Sequence, residues 1–402
     1  MTQEKLGWIV ESCHLCGKPA RAGTTCHYCG AVNLMPDPGP KEHRIPAGSY
    51  PTKCWNCSAA LPVFSFECGI CGANNTPIID RIRGTQTMSD NWSNYSLNGC
   101  LFESTPKPAP TLQASSTDLP QLIDLRKFCP PVEDQLNTNS CVANAVVGAL
   151  EFHQLKAGLP LTDISRLFVY YNARSLSDAE GQDTGSFIHH GMAAILAYGG
   201  CEARMWPFEQ AMVTSKPTEA CYENAAHYEA VQYARTPRGV PALTALAQGL
   251  PVVFGMFAPQ DYYQIAAQTG VMPRPDQVAP QSPPSGHAML MVGYDLSDKT
   301  YLVRNSWGMG WADQGYCKIP FETMDAWARP EDFWTIGAIE QASGLQLSGP
   351  SMVDAMKSVG VEAPLADALG KKVDDLRTDL RARLSSDLDA AKRDFRSRLR
   401  GK

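Results

Sequence analysis

The chain has no run of eighteen consecutive apolar residues, which excludes a simple transmembrane helix. Its first residues, MTQEKLGWIVESCHLCG, contain no apolar core of signal-peptide length, so the sequence predicts a soluble, cytoplasmic protein. Charge is scarce: 19% of the 402 residues are charged, and the formal net charge is −6. That balance gives no electrostatic reason to expect a polyanion as main partner. Histidine is rare, with eight in the chain, so each can be weighed singly. Cysteine is not rare. Of fourteen cysteines, eight fall before residue 72 in C-x-x-C pairs. In a cytoplasmic chain that pattern points to metal rather than disulfides. The other six, Cys100, Cys129, Cys141, Cys201, Cys221 and Cys317, are scattered and expected to be reduced.

Two stretches repeat: SCHLCGKPARAGTTCHYCGAVN at 12–33 and KCWNCSAALPVFSFECGICGANN at 53–75. Each has C-x-x-C, nine or ten residues, then a second C-x-x-C. Thiolates two residues apart on a tight turn can both reach one Zn²⁺ at about 2.3 Å, and two such turns complete a tetrahedral site. Cys13, Cys16, Cys26 and Cys29 are expected to hold one ion, and Cys54, Cys57, Cys68 and Cys71 a second. With four thiolates no position is left for water or substrate, so both ions are read as structural, and no cofactor is expected for catalysis. A segment this short cannot bury enough apolar surface to fold alone, and the metal supplies that stability. The repeats resemble double zinc ribbon modules; His14 and His27, inside the turns, are read as bystanders. Residues 1–80 hold six Lys/Arg and six Asp/Glu, which leaves no footprint for phosphate and favours protein binding or substrate recruitment.

The expected organisation is ribbon 1 at 1–35, ribbon 2 at 50–80, a linker at 81–120, a mixed domain at 121–342 and a helical tail at 350–402. Within the linker, STPKPAPTLQASSTDLP reads as an extended tether. VANAVVGALEFHQLKA, 142–157, reads as a helix stopped by Gly158 and Pro160, and a second helix fits 187–198. PVVFGMF (251–257), HAMLMVGYD (287–295) and TYLVRNS (300–306) read as strands. Helices first and strands second suggest an α+β domain in two lobes. In the tail, Val373, Leu376, Leu380, Leu384, Leu388, Ala391, Phe395 and Leu399 form one stripe of a long helix. That stripe suits self-association, coiled-coil fashion, or docking on a partner protein.

DQLNTNSCVANA, 134–145, places one thiol at a helix start. There the backbone N–H groups and positive dipole end favour a thiolate, the nucleophilic form. A histidine would complete the base, and it needs a partner on its other nitrogen. His287 opens an apolar strand, and a turn near 295–299 would bring Asn305 back beside it. Trp307 can then shield that hydrogen bond. Gln135 and the Cys141 N–H can serve as donors to an oxyanion.

PPVEDQLNTNSCVANAVVGALEF, GHAMLMVGYD and RNSWGMGWADQGYCKIP resemble the three signature blocks of papain-like cysteine peptidases, over about 120–342. SRLFVYYNAR and GSFIHHGMAAILAYGGCEARMWPF resemble the bacterial and archaeal branch of that family. The resemblance implies a helical lobe against a β-rich lobe, with Cys141 as nucleophile, His287 as base and acid, Asn305 as its orienter and Gln135 as oxyanion donor. It also implies Gly185 and Ser186 as a substrate rail, Ala288 as part of a roomy side-chain pocket, and Trp307 at the cleft. Three positions depart from the family: Leu136, Asn139 and Val142 stand where Gly, Gly and Trp are usual. Asn139 is read as the residue accommodating positive φ. Thr138 replaces a cysteine, so the usual disulfide is absent. The His189–His190 pair is expected to diverge on its helix rather than bind metal.

The reading is a cysteine endopeptidase acting on a protein or peptide through a thioester acyl-enzyme. The alternatives are a papain-like scaffold without activity, or a transpeptidase using the same site. No inhibitory propeptide is recognisable, and 81–120 is placed to lie across the cleft. Because the ribbons carry balanced charge, electrophoresis with DNA or RNA at physiological salt is expected to give no mobility shift.

Overall fold

The computed structural model describes residues 95–114, 118–226, 232–336 and 345–371, and in the first repeat only β1 (Thr24–Thr25) paired antiparallel with β2 (Val32–Asn33). The eight cysteines expected to hold zinc, and the tail stripe from 373 to 399, lie outside the described residues.

Nine strands form one sheet: β4 (Thr111–Ala114), β5 (Leu122–Asp124), β7 (Tyr233–Arg235), β8 (Val252–Pro259), β9 (Pro284–Asp295), β10 (Thr300–Arg304), β11 (Tyr316–Pro320), β12 (Ala328–Ile336) and β13 (Leu345–Ser348). Their order is β11-β10-β9-β8-β12-β7-β4-β13, with β5 also paired to β9. In β9, nine successive residues from Gly286 to Tyr294 are buried, so the strand reads as a continuous apolar run rather than an alternation. Both of its faces are covered, which removes the need for a polar side. The turn from β9 to β10 is fixed by Asp295, whose Oδ1 accepts the N–H groups of Ser297 and Asp298.

The helical side is built on α1 (Cys141–Lys156), followed by α2 (Arg166–Ser175) and α3 (Ile188–Tyr198). Every residue of α1 from Cys141 to Phe152 is buried. A surface helix hides one stripe; this one is enclosed by β8 and β9 on one side and by α2 and α3 on the others. Gly158, at φ +73°, ends it as the sequence suggested. Ser165 caps α2, its hydroxyl accepting the Phe168 N–H at 3.1 Å. Helices α4 (Glu219–Ala225), α5 (Val240–Ala247), α6 (Gln260–Thr269) and α7 (Phe321–Trp327) fill the loops between the strands. Then α8 (Met352–Ser358) and a helix over 363–371 pack back on the body through Met356, Val359 and Ala366.

The tether reading fails at one place. β4 lies inside the sheet, antiparallel to β13 and parallel to β7, and Leu112 is fully buried. One apolar residue in a Pro/Ser-rich stretch suffices because its partners come from far along the chain.

Glu151 is a carboxyl inside α1, 1% exposed, accepting the Ile164 N–H at 2.8 Å. Burial pushes its pKa up to about 8. A raised carboxyl pKa costs the fold stability as pH rises from the unfolded value near 4.5 through about 8, at about 1.36 kcal/mol per unit. Urea midpoints should therefore fall between pH 5 and 8 and level off above. Glu151→Gln, which keeps the acceptor and loses the charge, should flatten that dependence.

Candidate active site

Cys141 is the first residue of α1 and is fully buried. Its sulfur accepts the Ala288 N–H at 3.4 Å, which sets it against β9 one residue past His287. His287 Nε2 lies 2.8 Å from Asn305 Oδ1. That contact makes Nε2 the N–H donor and leaves Nδ1 with its lone pair; Nδ1 is buried with no hydrogen-bond partner among the described residues. The residues are brought together by strand pairing: β9 runs antiparallel to β10, and Asn305 follows β10 directly. Trp307 lies over His287, ring centroids 5.0 Å apart, and Tyr263 meets the same imidazole edge-on at 5.5 Å.

Gln135 is buried and tied to the neighbour of Asn305: Ser306 Oγ donates to its Oε1 at 2.6 Å, and its own N–H donates to Ser306 O at 2.8 Å. Its Nε2 donates to Thr138 O at 2.8 Å, leaving one amide hydrogen uncommitted. Positive φ falls at Leu136, at +52°, and not at Asn139. Asp134 Oδ1 supports that strained turn by accepting the Leu136 N–H at 2.7 Å. The position preferring glycine is thus the residue after Gln135.

Gly185, at φ +83°, and Ser186 line the other wall. Across them lies residue stretch 95–103. Its β3 (Cys100–Leu101) pairs in parallel with β6 (Ser186–Phe187), and the Ser186 N–H donates to Gly99 O at 3.0 Å. Gly99 sits on the thiol itself: a Cβ there would fall 2.6 Å from Cys141 Sγ and 2.5 Å from Asn139 O. Tyr95 anchors one end, stacked on Trp307 at 5.1 Å and donating to Asp134 at 3.0 Å. Ser96 donates to Asn139 Oδ1. Phe102 fills a hollow where Gly255 and Gly286 lack side chains. Residues 95–103 fall within the 81–120 stretch expected to cross the cleft.

The cover reverses the expected electrostatics. Burial pushes the Cys141 thiol up to about 12, against the smaller lowering by the N–H groups of Ala288, Val142 and Cys141. Burial also lowers His287 to about 4, although its bond to Asn305 works the other way. Desolvation penalises both charged forms, so the closed site holds a neutral thiol and a neutral imidazole.

Ala288 is fully buried against the thiol. His189 and His190 do not diverge: their rings meet edge-on at 4.6 Å, and burial lowers both pKa values, to about 2 and about 4. Among the described residues no group of three or more His, Cys, Asp or Glu is placed to hold a metal ion. Sequence reasoning missed Tyr95 and Gly99, because a cover is recognised only by what it touches. It also missed Asp134 and Asp183, each of which accepts a backbone N–H and a tyrosine hydroxyl from far along the chain.

A family model described as papain family cysteine protease matches residues 119–326. The chain belongs to that family. It is 31% identical over 246 residues to an uncharacterized peptidase C1-like protein of Acanthamoeba polyphaga mimivirus, covering 58% of this chain and 78% of the relative. With cathepsin L2 of Homo sapiens it shares 28% identity over 216 residues, 50% of this chain and 61% of that one. The chain therefore spans about three fifths of the cathepsin's length. Among solved structures, xylellain, a cysteine protease from Xylella fastidiosa, aligns at TM-score 0.53 and 27% identity, over 63% of this chain and 99% of that one. The papain-like enzyme class, a hydrolase, follows from family, relatives and fold together.

Gly99→Ala has no room for its methyl group and should force the cover off. Overpacking of this kind costs about 1–3 kcal/mol, enough to speed alkylation of Cys141 roughly tenfold or more. An iodoacetamide time course with peptide mapping checks it.

Proposed function

We propose that the protein is a cysteine endopeptidase that cleaves peptide bonds through a thioester on Cys141. One observation carries the reading: the Cys141 sulfur lies at the Ala288 N–H, beside a histidine whose Nε2 is held by Asn305 at 2.8 Å and whose Nδ1 has no partner among the described residues. In the proposed mechanism Nδ1 of His287 takes the thiol proton as sulfur attacks the substrate carbonyl. The oxyanion is met by the Cys141 N–H and the uncommitted amide hydrogen of Gln135. His287 then protonates the leaving amine, the C–N bond breaks, and a thioester remains. Water, deprotonated by His287, releases the acid and restores the thiol. Asn305 keeps the imidazole in the tautomer this requires, and Trp307 keeps water from that bond. Gly185 and Ser186 form the rail for an extended peptide, and Ser186 already pairs its backbone with the 99–101 stretch.

In this proposal residues 95–103 hold the enzyme closed, and activity begins when they leave. Water returning to the site then allows the thiolate–imidazolium pair that burial suppresses. The parts before and after the peptidase serve recruitment: the two ribbons, each with one structural zinc on its four cysteines, and the tail helix, by self-association or a partner protein. A cytoplasmic setting and the bacterial and archaeal branch belong to the same reading. Support for the branch is the likeness to xylellain. Support for the zinc is the spacing of the cysteines, and metal analysis should find two zinc ions per chain.

The test is intact mass after treatment with an epoxysuccinyl peptide probe, with mapping of the modified cysteine. Wild type should label once, at Cys141, slowly while the cover is closed and at least about tenfold faster in Gly99→Ala. Cys141→Ala should not label, and His287→Ala should slow labelling by about 10²–10⁴-fold. Labelling at Cys141 that ignores His287 would sink the proposal.

A further inference from the structure

The loop carrying the nucleophile is not joined to the substrate rail by a covalent bond. Thr138 stands near the thiol where the family resemblance led one to expect a cysteine, and Cys141 is a free thiol. Something else must hold 138–141 against 183–186, because both stretches are loop or element ends with few regular backbone bonds of their own.

Asp183 makes that connection. Its carboxylate accepts the Asn139 N–H, with Oδ1 at 3.1 Å and Oδ2 at 3.3 Å. Its backbone carbonyl accepts Asn139 Nδ2 at 2.6 Å. Tyr170 donates its hydroxyl to Asp183 Oδ1 at 2.6 Å, and the Tyr170 hydroxyl oxygen itself accepts the Gly185 N–H at 2.9 Å. Tyr170 is fully buried on α2, and the guanidinium of Arg174 lies 3.8 Å from its ring centroid. Arg174 also donates to the carbonyl of Gln182, just before Asp183. The chain of contacts runs from the residue two before Cys141 to the residue before Ser186, and it rests on a rigid helix.

We propose that Asp183 and Tyr170 form a hydrogen-bonded clamp in which Asp183 is a positioning residue for Cys141 and Tyr170 sets the substrate rail at Gly185. The two arms have separable consequences. The Asp183 arm fixes the loop that presents the sulfur and the Cys141 N–H. The Tyr170 arm fixes Gly185, whose neighbour Ser186 bonds to extended backbone. A buffering role in charge comes with it: the Asp183 carboxylate opposes ionisation of Cys141. A purely structural group would not bear on the thiol's titration.

This clamp rests on Cys141 being the nucleophile, and the experiment separates the two ideas. In the full chain, the saturation kinetics of an epoxysuccinyl peptide probe give a binding constant and an alkylation rate constant, each across pH. Tyr170→Phe should weaken binding by about tenfold, the worth of one hydrogen bond, with the alkylation rate little changed. Asp183→Ala should slow alkylation by about 10²-fold, as a misplaced reacting group does. Asp183→Asn can still accept from Asn139 and Tyr170 through its amide oxygen. It should restore the alkylation rate yet move the acid limb to lower pH, because the negative charge that raised the thiol pKa is gone. If Asp183→Ala fails to fold, Asp183→Asn and Tyr170→Phe decide alone. Wild type labelled at Cys141 with all three variants matching it overturns the clamp and leaves the nucleophile standing. Wild type and Gly99→Ala, whose cover is forced off, both unlabelled at Cys141 overturn both.

Discussion

The antiparallel pairing of β9 with β10 is the interaction on which the site depends. It folds the chain back over a short turn and makes neighbours of His287 and Asn305. β9 is paired on its other side by β8, and α1 lies across both strands, so the thiol at the start of α1 meets the strand carrying the histidine. Neither β9 nor β10 can shift without breaking backbone hydrogen bonds within a nine-stranded sheet, and α1 is held by its packing on β8 and β9. Rigidity of that kind is what a reacting pair needs, since small misplacements cost much of the rate.

Burial acts on the same residues in the opposite sense. The cover from Tyr95 to Glu103 removes water from the thiol and the imidazole, and desolvation then outweighs the helix start and the backbone donors around the sulfur. A helix N-terminus contributes roughly 0.3–1 kcal/mol to a nearby anion, or up to about 2 in favourable buried geometry, which is small beside taking a thiolate out of water. The cover is held by contacts of several kinds: an aromatic stack, side-chain hydrogen bonds, a two-residue parallel strand and a ring in a glycine hollow. Its continuation, β4, is part of the main sheet, so the cover is tethered at that end by the fold itself.

Much of this was legible in the sequence, for local reasons. The helix from 141, the strands at 252–259, 284–295 and 300–304, and the turn between the last two follow from apolar runs bounded by Gly, Pro and Asp. Cys141, His287, Asn305, Gln135 and Trp307 could be picked out together because each lies in a distinctive local setting and their order matches the signature blocks of the family. The fate of 111–114 was not legible, since one leucine among prolines and serines gives no periodicity. The contact of His189 with His190 was missed because adjacent positions were judged by helical spacing alone, whereas buried rings rotate toward each other.

Sequence alone was enough for the helix that starts at Cys141, the three strands around the site, the candidate residues and the family resemblance. Those properties are carried by short windows, where propensity and side-chain chemistry act over a few residues. Only the tertiary structure decided that the thiol and the imidazole are neutral, that Gly99 rests on the sulfur, and that Asp183 reaches Asn139. Each is a matter of distance between groups far apart in the chain, and of how much water remains between them.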